Sequence, residues 1–502
     1  MANINVKSDV VNSFNVRVDI FENHGTELDP DAEILESYDL QFPFSSVSIT
    51  RKVNPETPLS YSLVYLVQEP VLSQGLEKML QKILSLLSDS FNPSLFDFGD
   101  SIFISPDRKA EREKHLRNEV LKILDLYSIR LPDSDFDVLF YFIRRNFLDF
   151  GCIQPFLEDR NIEDISGNGY GLPVYIFHKK YGSVETNVVL NEQEADALVR
   201  RMAQCAKKQI SVAKPMIDAA LPDGSRVQLS LGNEITTKGS SFTIRKFEEK
   251  PLSPFDLVAN RTFSPEVMAY LELCVESGMS LMFAGGTASG KTTSMNAVCR
   301  FIPLSKKIVS IEDTREINLP HRNWISGVSR DAPAETAGQI SLYDLLKSAL
   351  RQRPEYILVG EIRGSEAYVL FQAMSTGHAT LSTMHAESVD TLIHRLENPP
   401  MNVPRAMIQT LDVLIILSQI KTDTGSVRKC LYVYEILETD PQTSEILTQE
   451  IFNAYRSDAF DLEKSSVLKR IQERRGWTTQ QLTEEFDQRV RSLQNNAGMW
   501  FE

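Results

Sequence analysis

Eight consecutive residues concentrate chemistry in this chain. Gly285, Gly286, Thr287, Ala288, Ser289, Gly290, Lys291 and Thr292 fit the spacing G-x-x-x-x-G-K-[ST]. A loop of this kind wraps phosphate. Its glycines let successive backbone N–H groups turn inward, and a helix starting behind them adds partial positive charge. Lys291 then reaches the β- and γ-phosphates of a nucleotide, and Thr292 places its hydroxyl on Mg²⁺.

A phosphate loop alone does not separate kinases, GTPases and motors. A second element must hold metal and activate water. Tyr356-Ile357-Leu358-Val359-Gly360-Glu361 supplies one, four apolar residues followed by an acid. Ligands bind at the carboxyl edge of such strands, so Glu361 is placed to hold Mg²⁺ through water or to polarise the attacking water. A further run, Ile308–Ile311, leads to Glu312-Asp313-Thr314-Arg315-Glu316. A carboxylate there can act as general base or orient water; Glu312 is the first candidate and Glu316 the second. Finally, the stretch 376–386 reads as a Gly-started strand with a histidine, His378 and His385, near each end. A histidine there can sense the γ-phosphate and relay its loss. Nothing near it completes a zinc site.

These groups need positioning elements, and the pattern provides them. Leu281–Ala284 reads as a buried strand, and Met295, Val298, Cys299 and Ile302 mark one face of the helix that follows. From Leu257 to about Glu438 strands alternate with helices, an α/β layer architecture. Residues 131–247 mix α and β, with strands expected at Pro173–Phe177, Arg226–Leu231 and Phe242–Arg245 and a helix at Glu192–Cys205. Residues 1–130 form an amino-terminal α/β module of their own. Two prolines among charges make 248–256 a hinge linker. The ATPase domain takes 257–450, and 451–502 closes the chain with amphipathic helices broken at Gly476.

Composition bounds the function. The chain has 502 residues and a formal net charge of -15, which argues against nucleic acid as a partner. An acidic protein suits docking beneath the basic cytoplasmic loops of a membrane protein. Its five cysteines, Cys152, Cys205, Cys274, Cys299 and Cys430, have no paired spacing and read as buried thiols in a reducing compartment. Neither a signal peptide nor a bilayer-spanning run is expected.

Taken together, the motifs resemble those of the type II/type IV secretion ATPase superfamily. GGTASGKT matches its Walker A motif, IVSIEDTREI its acidic box, RQRPEYILVGEIRGSEA its atypical Walker B ending in Glu, and STGHATLSTMHA its His box. The segments IEDISGNG, PDGSRVQLSLG and SSFTIRKF resemble its amino-terminal domain. ETPLSYSLVYLVQEPVLS and LKRIQERRGWTTQQL resemble the archaeal branch, that of the archaellum motor and archaeal type IV pilus assembly ATPases. The resemblance implies a RecA-like P-loop ATPase domain preceded by a PAS-like α+β domain and a small amino-terminal module. It also implies ATP and Mg²⁺ as cofactors and nucleotide contacts running on to Thr293. Glu361, Glu312, Glu316, Lys291 and His385 become the catalytic set, with Thr292 and Glu361 on the metal. Arg226 and Arg245 match basic residues that the family brings onto the nucleotide from its amino-terminal domain. The implied assembly is a homo-hexamer in the cytoplasm, peripheral to the membrane, working on a polytopic platform protein. The four-cysteine zinc module of some bacterial members is missing. Three competing readings have their own tests: a nucleic-acid translocase, by DNA-stimulated hydrolysis; a kinase, by phosphorylation of glycerol or peptide; and a scaffold that binds without hydrolysing, by unchanged turnover in Glu361→Gln.

Overall fold

A computed structural model describes residues 32–41, 43–54, 57–89, 106–247, 251–330, 338–422, 425–440, 442, 445–456, 460 and 462–496. The chain divides into two compact units at Phe247/Glu248.

The amino-terminal unit holds one nine-stranded sheet. Its strands are β1 (Glu33–Gln41), β2 (Ser45–Asn54), β3 (Thr57–Gln68), β4 (Ile162–Gly167), β5 (Pro173–His178), β6 (Gly182–Val189), β7 (Met216–Ala220), β8 (Arg226–Ser230) and β9 (Ser241–Arg245). The spatial order is β1-β2-β3-β6-β5-β4-β9-β8-β7. Every pairing is antiparallel except β3 with β6. The amino-terminal strands therefore do not build a sheet of their own. The Asn187 side chain extends the join by exchanging two 2.9 Å hydrogen bonds with the backbone of Val67. Alternate residues of β4, β5 and β6 are buried, the pattern of a sheet with one face on a core. Helix α5 (Glu192–Cys205) covers that face and starts at an Asn191/Glu194 capping box. This is the α+β layer of PAS-like kind expected. A separate apolar cluster joins α1 (Gln74–Asp89), α2 (Pro106–Leu126) and α3 (Asp133–Phe147), and the short α4 (Gln154–Glu158) leads into β4.

The carboxy-terminal unit holds an eight-stranded sheet of β10 (Leu281–Gly285), β11 (Ile308–Glu312), β12 (Trp324–Val328), β13 (Tyr356–Val359), β14 (Ala379–Met384), β15 (Val413–Thr422), β16 (Gly425–Thr439) and β17 (Ile446–Asn453). Their order is β12-β11-β13-β14-β10-β15-β16-β17. The first six are parallel and the last two antiparallel. One strand, β14, separates β10 from β13, the RecA-like arrangement expected from the motifs.

Helices lie on both faces, so β10, β11, β13 and β14 are buried at every residue. Leu281 and Phe283 enter one core and Met282 and Ala284 the other, the leucine, phenylalanine and methionine side chains each contributing roughly 1.5–3 kcal/mol. The first core packs α6 (Pro254–Ala259), α7 (Pro265–Glu276), α8 (Lys291–Val298), α13 (Ser466–Arg475) and α14 (Thr479–Asn496). The second packs α9 (Leu342–Leu350), α10 (Glu366–Ser375), α11 (Val389–Glu397) and α12 (Arg405–Ile408).

Three details differ from the sequence reading. The stretch 248–256 is not all linker. Ser253 and Asp256 form a capping box that starts α6 with Pro254 in its first turn, while 248–250 lie outside the described residues. Helix α8 ends at Val298 and passes through a tight turn, Cys299–Phe301, because Ile302 precedes Pro303 and must be extended. The closing helices α13 and α14 are preceded by strand β17, which falls across the boundary placed at 450. The loop expected over Ser88–Asp100 and the tail beyond 496 lie mostly outside the described residues. All five cysteines are buried and unpaired. Among the described residues no helix is long and apolar enough to cross a membrane.

Candidate nucleotide site

Strand β10 delivers the phosphate loop at the carboxyl edge of the parallel sheet. Gly285 cannot be replaced there, because a Cβ would stand 2.2 Å from the carbonyl oxygen of Leu417 on β15 at φ 154°. Ala288 and Gly290 also have positive φ, 60° and 86°, which folds the loop into a concave turn. The hydroxyl of Ser289 donates to the carbonyl oxygen of Gly286 at 2.9 Å. Lys291 is 7% exposed and its ammonium donates to that same oxygen at 2.7 Å. Five helices of this unit, α6, α7, α9, α11 and α13, begin with a serine side chain accepting a backbone N–H. Helix α8 begins with Gly290 and has no side-chain cap. Its first N–H groups face the loop's hollow, an arrangement suited to an anion.

The neighbouring strands bring two more groups to this edge. Met384 lies beside Ala284 in register, and Ser382 beside Val359, so His385 and Glu361 emerge next to the loop. His385 Nδ1 stands 3.4 Å from the ammonium of Lys291, and Nε2 stands 3.4 Å from a carboxylate oxygen of Glu361. An ammonium can only donate. Nδ1 is therefore the acceptor, and the imidazole proton sits on Nε2, facing Glu361. Burial holds His385 below the ordinary histidine range, the Lys291 charge adds to this, and Glu361 opposes it. The result is a neutral imidazole between a cation and a carboxylate.

Glu312 ends β11 and is 1% exposed. One carboxylate oxygen accepts the backbone N–H groups of Glu316 and Ile317, both at 2.8 Å; the other has no partner. Burial pushes its pKa up to about 8 against the pull of those two N–H groups. The loop 313–318 is held from α8, where the Asn296 amide donates to the carbonyl oxygen of Glu316 and accepts from the N–H of Asn318. Asp313 accepts from Ser329 at 2.8 Å and pairs with Arg363, two residues past Glu361. This network lines a cavity of about 250 Å³ at the starts of α9 and α10.

Residues 183–455 match the family described as Type II/IV secretion system protein, more than half of the chain. The chain belongs to this family. It is 35% identical over 410 residues to an uncharacterized protein of Methanocaldococcus jannaschii, covering 79% of this chain and 73% of that one. It is 29% identical over 317 residues to the type IV secretion system protein PtlH of Bordetella pertussis, 56% of this chain and 93% of that protein. The solved structure of the ATPase DotB from Legionella pneumophila matches at a TM-score of 0.44 and 18% identity, over 68% of this chain and 86% of that one.

For a secretion-family protein, the four motifs converge on one sheet edge unequally. Lys291, His385 and Glu361 form a line. Glu312 is close behind, with its side chain packed against Gly360, where a Cβ would meet Glu312 Cγ at 3.1 Å. Glu316 joins through its backbone. His378 precedes β14 and lies at the opposite end of that strand from His385, about 20 Å away at some 3.3 Å per residue. It contacts Thr376 and the carbonyl oxygen of Ala373 in its own turn. Arg226 and Arg245 belong to the amino-terminal unit, where they lie directly opposite each other on β8 and β9, both exposed. Asp164 of β4 faces Arg245 from the other side.

Several participants carried no sequence signal. Arg395 of α11 donates to the carbonyl oxygen of His385, and Asn296, Asp313 and Arg363 brace the acidic loop. Only Asp313 and Arg363 sat inside a recognised motif, and neither type nor spacing marked them as a pair.

Proposed function

We propose that this chain hydrolyses ATP with Mg²⁺. It works as one subunit of a homo-hexameric ring motor that powers assembly or movement of a type IV pilus-like surface filament, archaellum or pilus, or a related secretion step. The observation that carries the reading is the line Lys291–His385–Glu361 beside an uncapped helix start. The relative PtlH, a type IV secretion system protein, agrees with it.

The backbone N–H groups of residues 286–293 bind the nucleotide's phosphates. Lys291 exchanges the carbonyl oxygen of Gly286 for a phosphate oxygen. Thr292, on the first turn of α8, and the part-exposed Glu361 are the protein groups that would hold Mg²⁺, leaving phosphates and water for the remaining positions. Bound metal supplies charge neutralisation at the γ-phosphate. Glu312, with one unpartnered oxygen and a pKa near neutrality, orients or deprotonates the attacking water. Glu316 supports it through the loop. Arg226 and Arg245 lie opposite each other on β8 and β9 and are exposed. By the family resemblance they are the basic residues that would stabilise charge on the γ-phosphate. His385 reports the γ-phosphate because Lys291 faces one ring nitrogen and Glu361 the other. Its partner is a polytopic platform protein whose basic cytoplasmic loops suit the net charge of -15; the motor sits at the cytoplasmic face of the membrane.

The test is Mg²⁺-dependent ATP hydrolysis against protein concentration, with Lys291→Ala and Glu361→Gln alongside. Specific activity that rises with concentration and is lost in both variants supports sites completed by assembly. Wild-type protein that binds nucleotide without turning it over, alone and with membranes holding the platform protein, would sink the motor reading.

A further inference from the structure

The outer face of the phosphate loop is covered by a residue from far along the chain. Leu417 of β15 lies opposite Gly285, so the β15–β16 hairpin continues the sheet past the point where β10 gives way to the loop. Arg428 of β16, opposite Gln419, projects over that loop. Its Nε donates to the carbonyl oxygen of Ala288 at 3.0 Å. Its stem lies against Gly290, where a Cβ would meet Arg428 Cδ at 3.2 Å.

These are the two loop residues downstream of Gly285 with left-handed backbone. For Ala288 that conformation costs about 1–2 kcal/mol, so the surrounding structure must hold it. The Ala288 carbonyl turns toward Arg428, away from the Lys291 ammonium that the Gly286 carbonyl accepts. A donor on the outer side keeps it there.

We propose that Arg428 is a positioning residue for nucleotide binding: it fixes Ala288 and Gly290 so that the loop's N–H groups stay aimed at the β-phosphate. The proposal rests on the nucleotide reading of this site. The β-phosphate is common to ATP and ADP, so the arginine supports both equally and takes no part in cleaving the γ-phosphate.

The experiment measures Kd for ATP and ADP, and kcat at saturating ATP, for wild type, Arg428→Ala and Arg428→Lys. Lys429→Ala, an exposed change at the next position of β16, is the control. The alanine variant should weaken ATP and ADP by the same factor, about tenfold for one lost hydrogen bond, with kcat within about twofold. The lysine variant should recover part of the loss, since an ammonium can reach the Ala288 oxygen but cannot cover Gly290. Should the alanine variant fail to fold, the equal weakening of ATP and ADP is read from the lysine variant instead. Unchanged affinities, or a loss confined to ATP, would overturn the proposal, the second by showing that the guanidinium acts on the γ-phosphate. Wild-type protein that binds neither nucleotide would instead remove the nucleotide reading beneath it.

Discussion

Asp159 in the amino-terminal unit and Glu312 in the carboxy-terminal unit are both buried carboxylates that open a loop, and the two are treated in opposite ways. Asp159, 2% exposed, follows α4 in the amino-terminal unit. Its Oδ2 accepts the hydroxyls of Tyr38 and Tyr65 at 2.5 and 2.6 Å, and its Oδ1 accepts the N–H of Asn161 at 2.8 Å. Glu312, 1% exposed, ends β11 in the carboxy-terminal unit. Its Oε1 is saturated by two N–H groups, and its Oε2 has none. Burial is the same; satisfaction is not. A buried acid whose oxygens are all bonded fixes architecture, tying β1 and β3 to the start of β4. A buried acid with one oxygen kept open bears a desolvation cost that a proton or a further ligand must offset, which marks it for chemistry.

The largest expected effect tests the open oxygen directly. Glu312→Gln keeps the carbonyl that accepts from Glu316 and Ile317 and removes only the capacity to take a proton. ATP turnover should fall by about a hundredfold or more, within the range for loss of a general base, with ATP affinity little changed. Asp159→Asn should leave ATP affinity at the wild-type value. A Glu312→Gln enzyme with near-normal kcat would move the base role elsewhere and strip the contrast of its catalytic meaning.

The same variant predicts a pH dependence of stability. The unfolded chain ionises Glu312 near 4.5, the folded chain at about 8. Between those values the folded state holds a proton that the unfolded state has released, so stability falls as pH rises. Glutamine has no such loss. The urea midpoint of Glu312→Gln should therefore match wild type at pH 4, pull ahead above pH 4.5 by up to about 1.4 kcal/mol per pH unit, and hold a constant lead above pH 8. A lead that stays flat from pH 4 to 9 would mean that Glu312 ionises in the folded state as freely as in water.

What sequence could show follows from contiguity. The phosphate loop was legible because strand, glycines and helix start are consecutive. Glu361 was legible because β13, buried on both faces, reads as an apolar run with an acid near its carboxyl end; His385 was legible through the His-box match, since β14 carries Thr380, Ser382 and Thr383 among its apolar residues. Glu312 was legible as a candidate, but its half-satisfied state depends on Glu316 and Ile317 folding back over it, and that depends on Asn296 from another helix. Arg428 was invisible because its partner is 140 residues away. The junction of β3 with β6 was missed because parallel pairing leaves no local turn signal. The start of α6 was a missed signal: Ser253, Pro254 and Asp256 spell a capped helix start, yet two prolines among charges made the segment read as linker.

A smaller effect concerns Asp159. Asp159→Ala strands the Tyr65 hydroxyl in a buried site and removes the acceptor of the Asn161 N–H, at a cost of about 3 kcal/mol. The loss should stay in the amino-terminal unit. Amide hydrogen exchange should accelerate in β1, β3 and β4, while α8, β13 and β14 keep wild-type protection. Faster exchange in β13 or β14 would mean that Asp159 braces both units.

The smallest effects test whether donors alone separate the two carboxylates. Tyr38→Phe and Tyr65→Phe each remove one hydroxyl from Asp159 Oδ2 and should cost about 1 kcal/mol, with Tyr65 the more sensitive because it is fully buried and Tyr38 is half-exposed. Each single variant leaves Oδ2 one donor. The double variant leaves it none, and so gives Asp159 the half-satisfied state of Glu312. Its cost should exceed the sum of the singles by roughly 0.5–1 kcal/mol, the coupling expected of groups that share an acceptor. A strictly additive cycle would mean that water reaches Oδ2 once the hydroxyls are gone. The difference between the two acids would then lie in how tightly each loop excludes solvent, with the number of donors following from that.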